Sequence, residues 1–223
     1  YDLGINVDKP EYKIVVELNE ETMTLKASQK VIYTNNSSID LKNIYFHLYP
    51  NAFRNKGKVP FEKSEFNSAY PKGFDPGYIN INAVKENKKN AHYKLMGDNY
   101  TLLRISLAKE IKPKEKTDIH IDFEVKLPHS YGRMGYGENT VNINNWFPIV
   151  AVYDEKGWNL DPYYPLGDPF YSEIADYNVS TIIPKNYILA TTGNVIKTQE
   201  RKLKNTYHIR ATDVRNFAMV VSK

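Results

Sequence analysis

Between residues 22 and 34 (TMTLKASQKVIYT), Met23, Leu25 and Ala27 fall on one parity and are joined after Gln29 by Val31 and Tyr33, while Thr24, Lys26, Ser28 and Lys30 take the other. A period of two puts successive side chains on opposite faces of an extended chain, so one face is buried and the other wet. Residues 12–18 (YKIVVEL) lie just before, across Asn19-Glu20-Glu21, and the two runs predict a long antiparallel hairpin. Residues 35–38 are turn chemistry. Residues 41–49 (LKNIYFHLY) then predict a third strand, with Ile44, Phe46 and Leu48 on one face and Tyr45, His47 and Tyr49 on the other.

The period is lost between residues 50 and 77, where Gly57, Pro60, Pro71, Gly73, Pro76 and Gly77 predict an irregular surface excursion with a helical turn near 61–66. Strands resume at 78–85, 92–96, 100–107 and 117–125. The last (TDIHIDFEV) sends Ile119, Ile121, Phe123 and Val125 inward and His120, Asp122 and Glu124 outward. A second series follows at 177–183, 188–192, 195–198, 205–211 and 217–221, with Gly193-Asn194 as a tight hairpin signal. A dozen short strands without an amphipathic helix predict an all-β chain, an antiparallel β-sandwich forming one domain over residues 1–223.

Between the two series runs residues 142–173 (NINNWFPIVAVYDEKGWNLDPYYPLGDPFYSE), with both tryptophans, four of the twelve prolines and no helical period. Burying one Trp or Tyr removes roughly 150–250 Å² from water, at about 25 cal/mol per Å². This segment therefore reads as an ordered crossing, fixed to the core by Trp146, Phe147, Pro148 and Trp158.

Composition narrows the function. Thirty basic against 26 acidic side chains leave a net charge of only +4, and the short basic clusters at 85–89 and 201–204 are interrupted by other residues. That balance gives no argument for nucleic acid, which selects a concentrated basic stripe. Mean hydropathy is −0.57, yet 18 tyrosines mark a folded chain rich in amphipathic rings. There is no cysteine, hence no disulfide and no thiolate metal site. No apolar run reaches the length of a membrane-spanning helix. The chain begins at Tyr1, as expected for a mature form or an excised piece. Abundant Lys, Asn, Ile and Tyr suggest a bacterial origin, with a cell-envelope or secreted setting favoured over the cytoplasm.

Hydrolytic motifs are missing. The histidines (His47, His92, His120, His129, His208) include no i, i+4 pair and no HExxH, so no metal site is expected in this chain; His47, His120 and His208 sit on outward strand positions. Gly132, Gly135 and Gly137 do not form a phosphate-binding fingerprint, and Ser130 beside His129 is adjacency without a triad. Asp154, Glu155, Asp161, Asp168 and Glu173 could supply a glycosidase pair, although carboxylates in loops usually cap turns. The surplus of rings also admits a stand-alone carbohydrate- or surface-binding module built on Tyr and Trp.

One ordered set of segments carries more. The opening residues 12–53, with MTLKASQKVIYTNNSSIDLKNIYFHLYPNAF, resemble the first strands of the M1 (gluzincin) zinc aminopeptidases, bacterial type. Asn145-Trp146-Phe147-Pro148, Val152-Tyr153-Asp154, Gly157-Trp158 and Asp161-Pro162-Tyr163 are similar to that family's aromatic crossing, and Phe170 to Glu173, Ile183-Pro184, Thr192-Gly193 and Val214 to Ala218 continue it in order. The resemblance implies a saddle-like, non-catalytic amino-terminal sandwich with no catalytic residue and no cofactor of its own. Zinc and HExxH would lie in a catalytic domain absent from this chain. The implied partners are that carboxy-terminal domain and a peptide substrate. It also implies that an amide or carboxylate just ahead of the crossing meets the substrate's free amine, which places Asn142, Asn145 and Glu138 as candidates. Gly135 to Asn139 echo the family's exopeptidase motif only superficially, because that motif belongs to the catalytic domain.

Overall fold

Alternating side chains make strands almost everywhere the sequence places them. The computed structural model describes residues 8–165, 167 and 170–223. In chain order the strands are β1 (Glu11–Asn19), β2 (Thr24–Thr34), β3 (Leu41–His47), β4 (Tyr78–Glu86), β5 (Lys89–Asn90), β6 (His92–Met96), β7 (Leu102–Ile111), β8 (Lys116–Lys126), β9 (Met134–Tyr136), β10 (Thr140–Ile143), β11 (Ile149–Val150), β12 (Tyr153–Asp154), β13 (Gly157–Trp158), β14 (Ala175–Pro184), β15 (Ile188–Thr191), β16 (Asn194–Glu200), β17 (Lys204–Val214) and β18 (Met219–Ser222). The chain is all-β and sandwich-like, with one α-helical turn, Phe66–Ala69, among the described residues.

A large sheet runs in the order β16-β17-β14-β1-β2-β8-β4-β5. Two four-stranded sheets, β15-β18-β10-β9 and β11-β3-β7-β6, and a small β12-β13 ribbon complete the fold. The inner face of the large sheet is the expected one: Ile14, Val16, Leu25, Val31, Ile121 and Phe123 are buried, and their alternate neighbours face water. Both smaller sheets pack on it. The Thr181 hydroxyl of β14 donates to Met219 Sδ of β18 at 3.1 Å, and Val150 N of β11 donates to the Tyr12 hydroxyl of β1 at 3.1 Å.

The crossing fills the seam. Trp146 and Phe147 are fully buried. Phe147 meets Tyr12 edge-on at 5.6 Å and Tyr177 at 5.8 Å, while Tyr12 and Tyr177 stack at 4.8 Å. Gln29, the polar break in the apolar parity of β2, is buried because its Nε2 donates to the Pro148 carbonyl at 2.9 Å. Trp158 is half-buried against Tyr45, Tyr153 and Tyr33.

Four expectations need correction. The sandwich is not wholly antiparallel, because β1 pairs with β14 in parallel, Glu11 opposite Asp176 through Glu17 opposite Ile182. Parallel neighbours need a long connection between them, and the rest of the chain supplies it. Gly193-Asn194 closes no hairpin: β15 pairs with β18 and β16 with β17, so the chain steps from one sheet to another there. Glycine is still required, since φ is +81° and an added Cβ would lie 2.4 Å from the Arg210 carbonyl oxygen. The excursion at 50–77 begins as a buried 3-10 turn, Tyr49–Phe53, and its helical turn falls later than 61–66. His47 does not face water, because Tyr49 of that same turn stacks on its ring at 4.9 Å and the crossing brings Asn159 and Asp161 up to it.

Truncation of the seam should be costly. Phe147→Ala is expected to lose about 3–5 kcal/mol of unfolding free energy in urea, whereas Val15→Ala, on an exposed position, should stay within about 0.5 kcal/mol. Equal losses at the two positions would contradict the placement of the core.

Candidate functional site

The residues just ahead of the crossing form a short antiparallel unit in which β9 pairs with β10, Gly135 opposite Asn142. Gly135 has φ +151°, and a Cβ there would come within 2.3 Å of the Ser130 carbonyl oxygen, so the loop at 128–133 lies directly against β9. Three contacts hold that loop. Asn142 Nδ2 donates to the Gly132 carbonyl at 2.9 Å, His129 N donates to the Asp75 carboxylate at 2.6 Å, and Tyr131 N donates to the Ala69 carbonyl at 2.8 Å.

Of the three sequence candidates, the structure brings two together. Asn142 and Glu138 line one shallow surface depression with Ser130, Tyr131, Gly137 and Thr140. Glu138 is exposed at the β9–β10 turn. Asn145 goes elsewhere. It takes a left-handed backbone conformation (φ +51°), is only 4% exposed, and packs in an aromatic niche with Tyr49, Phe53, Tyr163 and Phe170 that has no room for a water molecule. Its Oδ1 has no hydrogen-bond partner within the described protein. Arg133 lies over the Phe170 ring at 5.4 Å, on the edge of that niche.

The acidic residues of the crossing serve turns. Asp154 accepts from Lys156 N at 2.9 Å and Asp161 accepts from Asn159 Nδ2 at 3.1 Å; Asp168 lies outside the described residues. Glu173 is different, being half-buried with its carboxyl pushed up by burial. Trp158 has tyrosines against it and Trp146 is sealed in the core, so neither offers a free ring face for stacking a sugar.

Register between distant strands produces two constellations that spacing along the chain does not signal. On the outer face of the large sheet, Ser28 Oγ lies 3.2 Å from His120 Nε2, and the same nitrogen lies 3.1 Å from Asp122 Oδ1. A relay needs serine and carboxylate on opposite ring nitrogens, so this trio has the residues of a triad without its geometry. Ser180 Oγ pairs with His208 Nδ1 at 2.9 Å on the same face. Among the described residues no group of three or more His, Cys, Asp or Glu side chains is placed to hold a metal ion.

His47 is 1% exposed and stacks on Tyr49 at 4.9 Å. Burial lowers its pKa from 6.5 to about 4, against the opposite pull of the Asn159 backbone and the Asp161 carboxylate.

No family model matches this chain, and no curated protein sequence matches it. Solved structures do. An M1 zinc metallopeptidase mutant from Deinococcus radiodurans bound to a Tyr-Ser-Ala substrate aligns with a TM-score of 0.57 at 12% identity, over 96% of this chain and 42% of that one. A second mutant form from Deinococcus radiodurans gives a TM-score of 0.56 at 12% identity, with the same coverage. A two-domain M1 zinc metallopeptidase mutant bound to L-arginine gives 0.55 at 11% identity, again over 96% and 42%. At these identities the shared property is the fold, and this chain spans less than half the length of the chains it matches.

The histidine gives a signed pH dependence. The unfolded chain takes up a proton below pH 6.5 that folded His47 refuses until about pH 4. Its contribution is therefore fully present above 6.5 and is lost as pH falls toward 4, by up to about 3 kcal/mol. Urea denaturation between pH 7 and pH 4 should show this loss, and His47→Gln should flatten it; an unchanged profile would exclude His47 as the source.

Proposed function

We propose that this chain is the non-catalytic β-sandwich domain of a zinc-dependent metallo-aminopeptidase, packed on a peptidase domain of the same polypeptide and walling one side of its substrate cleft. One observation carries the reading. The fold match takes in nearly all of this chain and only 42% of the metallopeptidase chains, which leaves room in such a protein for a peptidase domain. The described residues of this chain do not fit zinc, so the metal is assigned to that other domain and no chemical step is assigned here.

Within this reading the depression at the β9–β10 turn faces the cleft. Asn142 and Glu138 border it together, and an amide oxygen or carboxylate there suits the ammonium of a peptide's first residue, because hydrogen bonds to a charged donor are roughly twice as strong as neutral ones. Asn145, buried behind among aromatic rings, shapes the wall rather than meeting substrate.

The isolated 223-residue chain should release no amine from leucyl- or alanyl-anilides with zinc added. Measurable turnover by the purified chain would overturn the reading, as would a parent reading frame that encodes no HExxH peptidase domain.

A further inference from the structure

One depression on the outward face of the large sheet differs in charge from the rest of that face. Its volume is about 490 Å³, and its lining holds two lysines, two histidines, two serines and an asparagine but no carboxylate. Nearby acids are placed elsewhere: Glu17 and Asp122 border the next depression along the sheet, and the Asp118 carboxylate is held by Lys30. Cross-strand register builds the site. His208, Ser180, Val15 and Ser28 lie side by side on β17, β14, β1 and β2. Asn178, Lys13, Lys30 and His120 form the adjoining row on β14, β1, β2 and β8. Lys13 stands directly opposite Lys30, and like charges so placed disfavour the pairing of two strands. Unlike Lys30, Lys13 has no ion pair or hydrogen bond among the described residues.

From this we infer that the depression is a binding site for a phosphate monoester, whose phosphate is held by Lys13, Lys30 and Ser28 and whose organic part lies over Val15. The donors select the charged end. An ammonium offers three N–H groups in different directions, so Lys30 keeps two after its bond to Asp118. A planar carboxylate is matched best by the fork of an arginine, and no arginine lines the depression. Ser28 is made a donor by its neighbour. His120 Nε2 lies 3.1 Å from Asp122 Oδ1 and 3.2 Å from Ser28 Oγ. A carboxylate only accepts, so that nitrogen carries a proton, the Ser28 oxygen is a second acceptor for it, and the hydroxyl proton is left for a ligand. The three terminal oxygens of a phosphate monoester then have one donor each. The apolar floor selects the rest. Val15 is 52% exposed and Ile196 is 64% exposed. Ile196 is the unpaired residue of a bulge in β16, a device that re-aims a side chain, and here it lines the depression. Ser28 and Ser180 are two strands apart with Val15 between them, hence about 10 Å from each other, too far for one phosphate to touch both. A ligand that also reaches Ser180, whose Oγ pairs with His208 Nδ1 at 2.9 Å, carries a body beyond its phosphate. The site is independent of the peptidase reading above.

The histidines supply the readout. Their ring signals are followed by NMR in the 223-residue chain as phenyl phosphate is added near neutral pH. His120 and His208 should shift along one saturable curve, while His92, exposed on β6 of a different sheet, should not move. Lys13→Ala should weaken binding about fivefold or more. Lys42→Ala, which removes an exposed lysine of β3, should leave affinity within about twofold. Inorganic phosphate should bind about fivefold more weakly than phenyl phosphate, because it leaves Val15 and Ile196 uncovered. Glycerol 3-phosphate and a glycine-flanked phosphoserine peptide then separate a small-molecule phosphate from a protein-borne one, the tighter of the two naming the source. The site is overturned by movement of His92 in step with the other two rings, by shifts that do not saturate, or by unchanged affinity in Lys13→Ala. Equal affinity for inorganic and phenyl phosphate would overturn the monoester as its ligand. Any of these failures leaves the peptidase reading standing.

Discussion

Everything in this molecule rests on a short stack of rings at the seam between its sheets. Tyr12, Tyr177, Phe147 and Trp146 come from three separate parts of the chain and meet within 6 Å of one another in sequence along the stack. Each of these side chains is large, and burying it withdraws roughly 150–250 Å² from water. The stack also orients the polar links beside it. The Tyr12 hydroxyl accepts from Val150, and Gln29 holds the Pro148 carbonyl, so the backbone of the crossing enters the interior with partners waiting for it. Aliphatic side chains such as Val16, Ile44, Leu103, Ile121, Ile143 and Val221 complete the same core around the rings.

What the sequence discloses follows from how local each signal is. Alternation is local, and it places β1, β2, β8 and β14 to within a residue or two, because the apolar parity itself causes burial. Partner choice is not local. Nothing within Tyr12 to Leu18 says that its free edge will meet Asp176 to Ile182 in parallel, and nothing in Gly193-Asn194 says that its two flanking strands join different sheets. His47 shows the same limit. Its parity is outward, but Tyr49 stacks on it and the crossing returns at Asn159 and Asp161 to cover it, so this end of β3 is buried on both sides. At the candidate site, Asn142 and Asn145 look alike in sequence. A regular strand aims one at the surface, and a left-handed backbone step turns the other inward.

Charge is partitioned as well as polarity. The large sheet carries its ions on its outer face, in pairs such as Lys30 with Asp118 across β2 and β8 and His120 with Asp122 along β8. Half-exposed pairs of this kind contribute little to stability, but they keep that face solvated and unsuited to close packing. The smaller sheet that bears Asn142 lacks them altogether on its outward rows, although it is built by the same alternation. A β-sandwich needs only its interior to be apolar, so the difference between the two exteriors is a separate property of the sequence, unrelated to folding.

The parallel pairing of β1 with β14 has a consequence for how the protein is made. The hairpin of β1 and β2 is complete at Thr34, yet the neighbour that covers the other edge of β1 lies 165 residues further along the chain, Asp176 opposite Glu11. At roughly 5–20 residues per second of synthesis, that edge stands unpaired for about ten seconds or longer. Its backbone donors and acceptors then form a ready template for any other extended chain. The alternation of Glu11, Lys13 and Glu17 along that strand puts charge on one side of it during the wait, which disfavours its pairing with another open strand.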